Sequence, residues 1–129
     1  MRVPDNVFVF GSNESGIHGA GAAAFAYHKK GAKLGQGLGL AGESFAIPTK
    51  DWTIGEVNTD IIEFYVKRFI EFAKLNPQTT FQVTAIGCGL AGYRHSDIAP
   101  MFRQAPNNCQ FDLAWKPVLG DKHTYWGTF

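Results

Sequence analysis

The sequence predicts an α/β fold: a mostly parallel sheet with helices on both faces, stacked in three layers. Two observations carry this. Short apolar runs, Val7–Phe10 (VFVF) and Thr80–Ile86 (TFQVTAI), each break off at a glycine. Between and around them lie segments with helical spacing, so strand and helix alternate along the chain, the pattern of a parallel sheet with crossover helices.

The elements follow in order. Val7–Phe10 reads as a buried strand, and Gly11–Gly19 (GSNESGIHG) as a loop without periodicity. Ala20–Lys30 (AGAAAFAYHKK) is alanine-rich and predicts a helix stopped at Gly31. Lys33–Glu43 is laced with glycine and fits either a loop or a pair of short strands; Ser44–Pro48 (SFAIP) predicts a strand. Asn58–Leu75 gives the clearest helix. Asn58, Thr59 and Asp60 offer capping oxygens, and Ile61, Ile62, Tyr65, Val66, Phe69, Phe72 and Ala73 form its apolar stripe. Asn76-Pro77 ends it. After the strand at Thr80–Ile86 comes a second glycine loop, Gly87–His95, then a short helix over Ser96–Gln104 with Ser96 as N-cap and Pro100 near its first turn. Cys109–Ala114 (CQFDLA) predicts a last strand. The tail, Lys116–Phe129, shows no period.

Composition narrows the function classes. At 129 residues, with no repeat or linker, the chain predicts one domain, residues 1–129. Twelve Lys and Arg against 11 Asp and Glu leave a net charge of +1, too weak for a general nucleic-acid coat. Two cysteines, Cys88 and Cys109, form neither a disulfide scaffold nor a metal-ligand spacing, and His28 and His123 have no metal-like companions, so no metal and no cofactor is expected. The four-residue run VFVF is too short for a signal-peptide core or a membrane span, which predicts a soluble, cytoplasmic protein. Glycine is the outlier: nine of the 15 lie between Gly11 and Gly42, and three lie in Gly87–Gly92. Clustered glycine marks backbone that turns sharply or approaches something closely.

In parallel sheets ligands bind where loops leave the C-terminal ends of strands. Both glycine loops leave strands there. In the first, Gly11, Ser12 and Asn13 lead through His18 to Gly19, Ala20, Gly21 and Ala22, where small residues open a helix. Loop amides before a helix N-terminus favour an anion. The segment lacks the Gly-Lys-Ser/Thr of a phosphate-binding nucleotidase loop, and GAGAAA matches the dinucleotide fingerprint only loosely. A tight strand–helix turn packed by small residues is the plainer explanation of either loop alone. The second loop contains Gly87, Cys88, Gly89, Leu90, Ala91, Gly92 and Tyr93. Together the loops suit something anionic and extended, such as a pyrophosphate.

IGCGLAGY followed by a short helix resembles the second glycine loop of macro domains, the ADP-ribose-binding modules, and FVFGSN-ESG-IHGAGAAAFA resembles their first motif. The likeness is nearest to the terminal ADP-ribose glycohydrolase branch. That branch carries a Gly-Cys-Gly-Leu loop, a Gly-Ala-Gly helix start and a Thr-Lys pair, here Gly87-Cys88-Gly89-Leu90, Gly19-Ala20-Gly21 and Thr49-Lys50 in the same order. The resemblance covers roughly residues 7 to 111 in short islands. It implies a macro-like fold, with Gly19–Ala22 and Gly87–Gly92 on the diphosphate, Asn13 on the distal ribose and Tyr93 at the sugar end. It implies that Lys50 attacks the distal ribose. The partner is then a small ADP-ribose-like ligand or an ADP-ribosylated macromolecule.

The chain departs from that branch at Ala91, where the branch has an aspartate that works with the lysine. The Gly-Asp pair that reads the adenine amino group in macro domains has no counterpart before VFVF. Three functions therefore stand open: a non-catalytic binder of ADP-ribose or a related nucleotide-sugar diphosphate, a glycohydrolase using Lys50, and a protein-interaction domain whose glycine loops are structural. Other residues have plain readings. Lys50 beside Asp51 fits a solvated strand end, and a nucleophilic lysine needs burial or a neighbouring cation. His18 and His95 flank the loops, where a histidine can donate to a sugar phosphate but is commonly polar surface. Cys88 fills space more readily than it attacks. Trp52, Trp115 and Trp126 suit either base stacking or the core.

Overall fold

The structure, a computed structural model, describes residues 3–13, 21–50, 59–89 and 92–129, with Asn13 and Lys50 described in their backbone only. Six strands form one sheet: β1 (Asn6–Asn13), β2 (Gly39–Ala41), β3 (Ser44–Lys50), β4 (Thr80–Val83), β5 (Cys109–Asp112) and β6 (Thr124–Gly127). Their order is β2-β3-β1-β4-β5-β6. Every neighbouring pair is parallel except β2 and β3. Helices cover both faces, as the alternation of strand and helix signals predicts: α1 (Gly21–Lys29) on one, α2 (Thr59–Leu75) and α3 (His95–Ile98) on the other. No helix among the described residues is long and apolar enough to cross a membrane.

Strand alternation explains the layering. On β1, Val7 and Val9 point to one side and Phe8 and Phe10 to the other. The valine side holds the larger core, where Ile62, Val66, Phe69, Ile70 and Ala73 of α2 meet Phe81, Phe102, Phe111 and Trp115. Its rings pack edge-on, Phe69 against Phe81 at 5.3 Å between centroids, the arrangement that aromatic quadrupoles favour. The phenylalanine side holds a smaller core built with Ala26, Ala32 and Ala46, and Ala22 and Ala23 pack against it. Alanines let α1 lie close to the sheet without bulk between them.

Several boundaries differ from the sequence expectation. Gly11, Ser12 and Asn13 belong to β1, pairing with β3 as far as Lys50, so the first loop begins later than Gly11. Strand β4 stops at Val83 and not Ile86, because Thr84 directs both its amide and its hydroxyl to the Val9 carbonyl (3.0 and 2.7 Å) and Ile86 N then folds back onto Thr84 O. Strand β5 stops at Asp112 and not Ala114; the Asp112 carboxylate accepts from Ala114 N and starts a 3-10 turn, Leu113–Trp115. Ser96 is not the cap of the short helix. Arg94 is, with its N–H donating to the Asp97 carboxylate, and the helix passes at Ala99 into a 3-10 turn, Ala99–Phe102, with Pro100 in it. On α2, Ile61 is exposed and Ile70 buried, a small rotation of the stripe; Asn58 lies outside the described residues. The ambiguous stretch before Ser44 supplies the edge strand β2, and the Gln36 side-chain amide donates to the carbonyls of Leu38 and Leu40. A tight turn follows at Gly42, where φ is +58° and an added Cβ would sit 2.9 Å from Gly31 Cα.

The tail without a period is ordered. It forms α4 (Lys116–Leu119), a 3-10 turn at Gly120–Lys122 and β6 beside β5. Long-range hydrogen bonds hold it where no local repeat does. Trp126 Nε1 donates to Val83 O (2.9 Å) at the end of β4. The buried Asp112 carboxylate accepts from Thr128 Oγ1 and Phe129 N, both at 3.2 Å. Phe129 then packs its ring on Phe8 and Phe25, at 5.9 and 5.4 Å between centroids.

Asp112 thus anchors a turn and the tail together. Asp112→Ala removes the acceptor for three donors, and the expected cost is about 1–3 kcal/mol, a fall of several degrees in Tm. Trp126 fluorescence should shift at temperatures below the main transition as the tail loosens. An unchanged Tm would show that the carboxylate does not hold the tail.

Candidate functional site

The two glycine segments meet at the C-terminal edge of the sheet because β1 and β4 are parallel neighbours. Their contact is close. A Cβ added to Gly11 would lie 3.3 Å from Gly87 N, 3.4 Å from Thr49 Oγ1 and 3.5 Å from Ile86 Cα. Gly87 has a φ of +74°, and a Cβ there would lie 3.3 Å from the Tyr93 ring and 3.5 Å from Thr49 Cγ2. Gly11, Thr49, Gly87 and Tyr93 therefore form one packed floor with Ile86, the residue that opens the IGCGLAGY segment.

The hydroxyls in that floor face inward. Ser12 Oγ donates to Gly37 O (3.0 Å) and Thr49 Oγ1 to Ser12 O (3.3 Å), both residues being buried. They tie β1, β3 and the loop before β2 into a rigid base. Gly21, Gly89 and Gly92 are exposed. Gly21 starts α1 with φ at +58°, and among the described residues nothing lies within 4 Å of a Cβ added there. Ala22, beside it, is half-buried. The backbones of Asn13 and Lys50 pair at the ends of β1 and β3, on the same edge. The expectations for His18, Gly19, Ala20, Leu90 and Ala91 fall outside the described residues.

Hydrogen bonds shape the second loop from within. Cys88 N donates to Ala85 O, Gly92 N to Gly89 O and Tyr93 N to Gly87 O. Three of the loop's amides therefore hold its own turn. Beneath it lies Trp115, fully buried, whose indole N–H donates to His95 Nδ1 at 3.0 Å. The Cys88 thiol donates to Ile86 O (3.4 Å).

That thiol is a poor nucleophile. Burial, helped by the carboxylates of Asp97 and Asp112 and opposed by the Trp115 hydrogen bond, pushes its pKa from 9.0 up to about 11. Burial alone pushes Cys109 to about 12. Thiolate is the reactive form, so Cys88 packs the loop. Among the described residues no group of three His, Cys, Asp or Glu could hold a metal. A groove of about 380 Å³ opens between the start of α2 and α3, lined by Thr59, Glu63, Ser96, Asp97, Pro100 and Met101. None of these belongs to the glycine segments, and the carboxylates of Glu63 and Asp97 repel a diphosphate.

The raised thiol pKa has a measurable signature. A value near 11 instead of 9.0 leaves roughly a hundredfold less thiolate at pH 8. Iodoacetamide should label Cys88 slowly at pH 8, with a rate that climbs steeply toward pH 11, read by mass spectrometry. Because folding raises both thiol pKa values, the stability they carry is complete below pH 9 and drains away as pH rises toward 11 and 12. Fast labelling at pH 8 would show an activated thiol instead.

In comparisons with protein-family models, curated proteins and solved structures, no match to this chain was found.

Proposed function

We propose that this chain is a macro-like domain that binds ADP-ribose, or a related nucleotide-sugar diphosphate, across the two glycine segments at the C-terminal edge of the sheet. The observation that carries the reading is the contact of Gly11 with Gly87: parallel strands deliver both segments to one rim, with no side chain between them. Such a floor admits a ligand to backbone distance. The start of α1 then brings a partial positive charge toward a diphosphate. Buried hydroxyls of Ser12 and Thr49 keep the rim in shape before a ligand arrives, which lowers the ordering cost of binding. The macro-domain likeness of both motifs supports the same assignment and adds Asn13 and Tyr93 as sugar contacts. Binding without turnover is the favoured activity, since Ala91 replaces the aspartate that accompanies the lysine in the glycohydrolase branch. The setting is a reducing intracellular compartment, where Cys88 and Cys109 remain free thiols.

A thermal-shift titration tests the binding. ADP-ribose at 100 times its Kd should stabilise the fold by about 2.7 kcal/mol, a rise of several degrees. Gly21→Glu places a carboxylate at the open helix start and should abolish the shift while circular dichroism stays native. If neither ADP-ribose nor any other diphosphate-containing nucleotide moves Tm at millimolar concentration, the site does not exist.

Turnover is tested separately. A general acid or base contributes about 10²–10⁴-fold to such steps. A single-turnover assay should show little or no release of ADP-ribose from a glutamyl-linked substrate, and Lys50→Ala should keep its affinity for free ADP-ribose. Rapid release that vanishes in Lys50→Ala would make the protein a glycohydrolase.

A further inference from the structure

We infer that the outer face of α2 is a self-association surface, on which a second copy of this chain docks its own α2 antiparallel. The helix carries two rows of side chains. Ile62, Val66, Phe69, Ile70 and Ala73 are buried against the sheet. The opposite row runs Ile61, Phe64, Arg68, Glu71 and Leu75, in steps of three, four, three and four residues. That is the spacing of a seam between two helices. Its apolar members, Ile61, Phe64 and Leu75, are 45%, 56% and 79% exposed. A lone exposed apolar side chain is ordinary. Three in one row, on a helix whose other face already fills the core, leave a continuous strip for another helix to cover.

The charges select the occupant. Across a two-fold axis residue i meets j and j meets i. When Phe64 is set against Leu75 of the second copy, Arg68 falls against Glu71 of the second copy, and the axis repeats both contacts. The seam is then apolar at both ends, with two pairs of opposite charge in the middle. A parallel pairing would instead oppose Arg68 to Arg68 and Glu71 to Glu71. The Arg68 guanidinium already lies over the Phe64 ring, 5.7 Å from its centroid, so it stands on the row. Glu71 holds Lys74 at 3.6 Å, an exposed pair of the weak kind that leaves its carboxylate within reach. From Phe64 to Leu75 the seam is about 16 Å long, so the dimer is small and reversible. Helix α2 ends just before β4 begins, so its Leu75 end lies at the sheet edge away from the glycine segments. An antiparallel pair therefore points the two glycine edges in opposite directions.

Sedimentation velocity of the full chain over a range of concentrations tests this. The wild type should pass from monomer to dimer as concentration rises. Arg68→Glu and Glu71→Arg each turn two attractions into two repulsions, and each should raise the dimer dissociation constant at least roughly tenfold. Both positions are exposed, so circular dichroism and Tm should stay native. The double variant Arg68→Glu/Glu71→Arg restores opposite signs across the axis and should restore the dimer. Phe64→Cys/Leu75→Cys should give an intermolecular disulfide on oxidation, since about 16 Å of helix separates the two positions within one chain. A wild type that stays monomeric at millimolar concentration would overturn self-docking and leave the row to a partner of another kind. Single reversals that dimerise as tightly as the wild type would put the interface elsewhere. A double variant no tighter than the singles would overturn the antiparallel register.

Discussion

Strand β1 is buried on both faces, and the rest of the architecture follows from that. Val7 and Val9 demand cover on one side and Phe8 and Phe10 on the other, so neither a two-layer sandwich nor a half-solvated sheet can accommodate this chain. Parallel partners on both flanks, β3 and β4, complete its hydrogen bonding. Helix α2 answers the valine face with a large aliphatic and aromatic stripe. Helix α1 answers the phenylalanine face with alanines, and Phe129 of the tail closes over Phe8 beside it.

Parallel pairing also determines where chemistry can occur. Strands that run the same way release their loops at the same edge, and β1, β3 and β4 do so close together: a Cβ added to Gly11 would meet Gly87 and Thr49 within 3.4 Å. The floor so made is stiff, since its hydroxyls bond inward and the second loop closes on its own carbonyls. Stiffness has two sides. It keeps the strand ends in place, and it engages the amides of Cys88, Gly92 and Tyr93 within the loop itself.

The parts legible in the sequence were those written in local patterns. The apolar run VFVF, the stripe of Asn58–Leu75 and the alternation of strand with helix signals led to the α/β class, and the two glycine clusters to the C-terminal edge of the sheet. What stayed hidden depends on distant partners. Strand β6 has no signature because its order comes from Tyr125, Trp126 and Thr128 reaching Gly120, Val83 and Asp112. Strand β4 ends early because a threonine hydroxyl prefers a carbonyl on β1. The bond from Trp115 to His95 joins residues 20 apart in sequence, and no spacing rule announces it. At the strand ends, the glycine clusters were legible, but that Ser12 and Thr49 turn their hydroxyls into the floor was not.

The edge strand β2 carries a consequence for behaviour in concentrated solution. An open sheet margin invites another chain to add a strand, the first step toward fibres. Here the margin is three residues long, and Gln36 takes the carbonyls of Leu38 and Leu40 with its side-chain amide. A newcomer meets a short rail already capped by the protein's own glutamine. The glycine-rich stretch that looks least structured in the sequence thus serves as the guard of one side of the sheet, and keeps neighbouring molecules from stacking onto it.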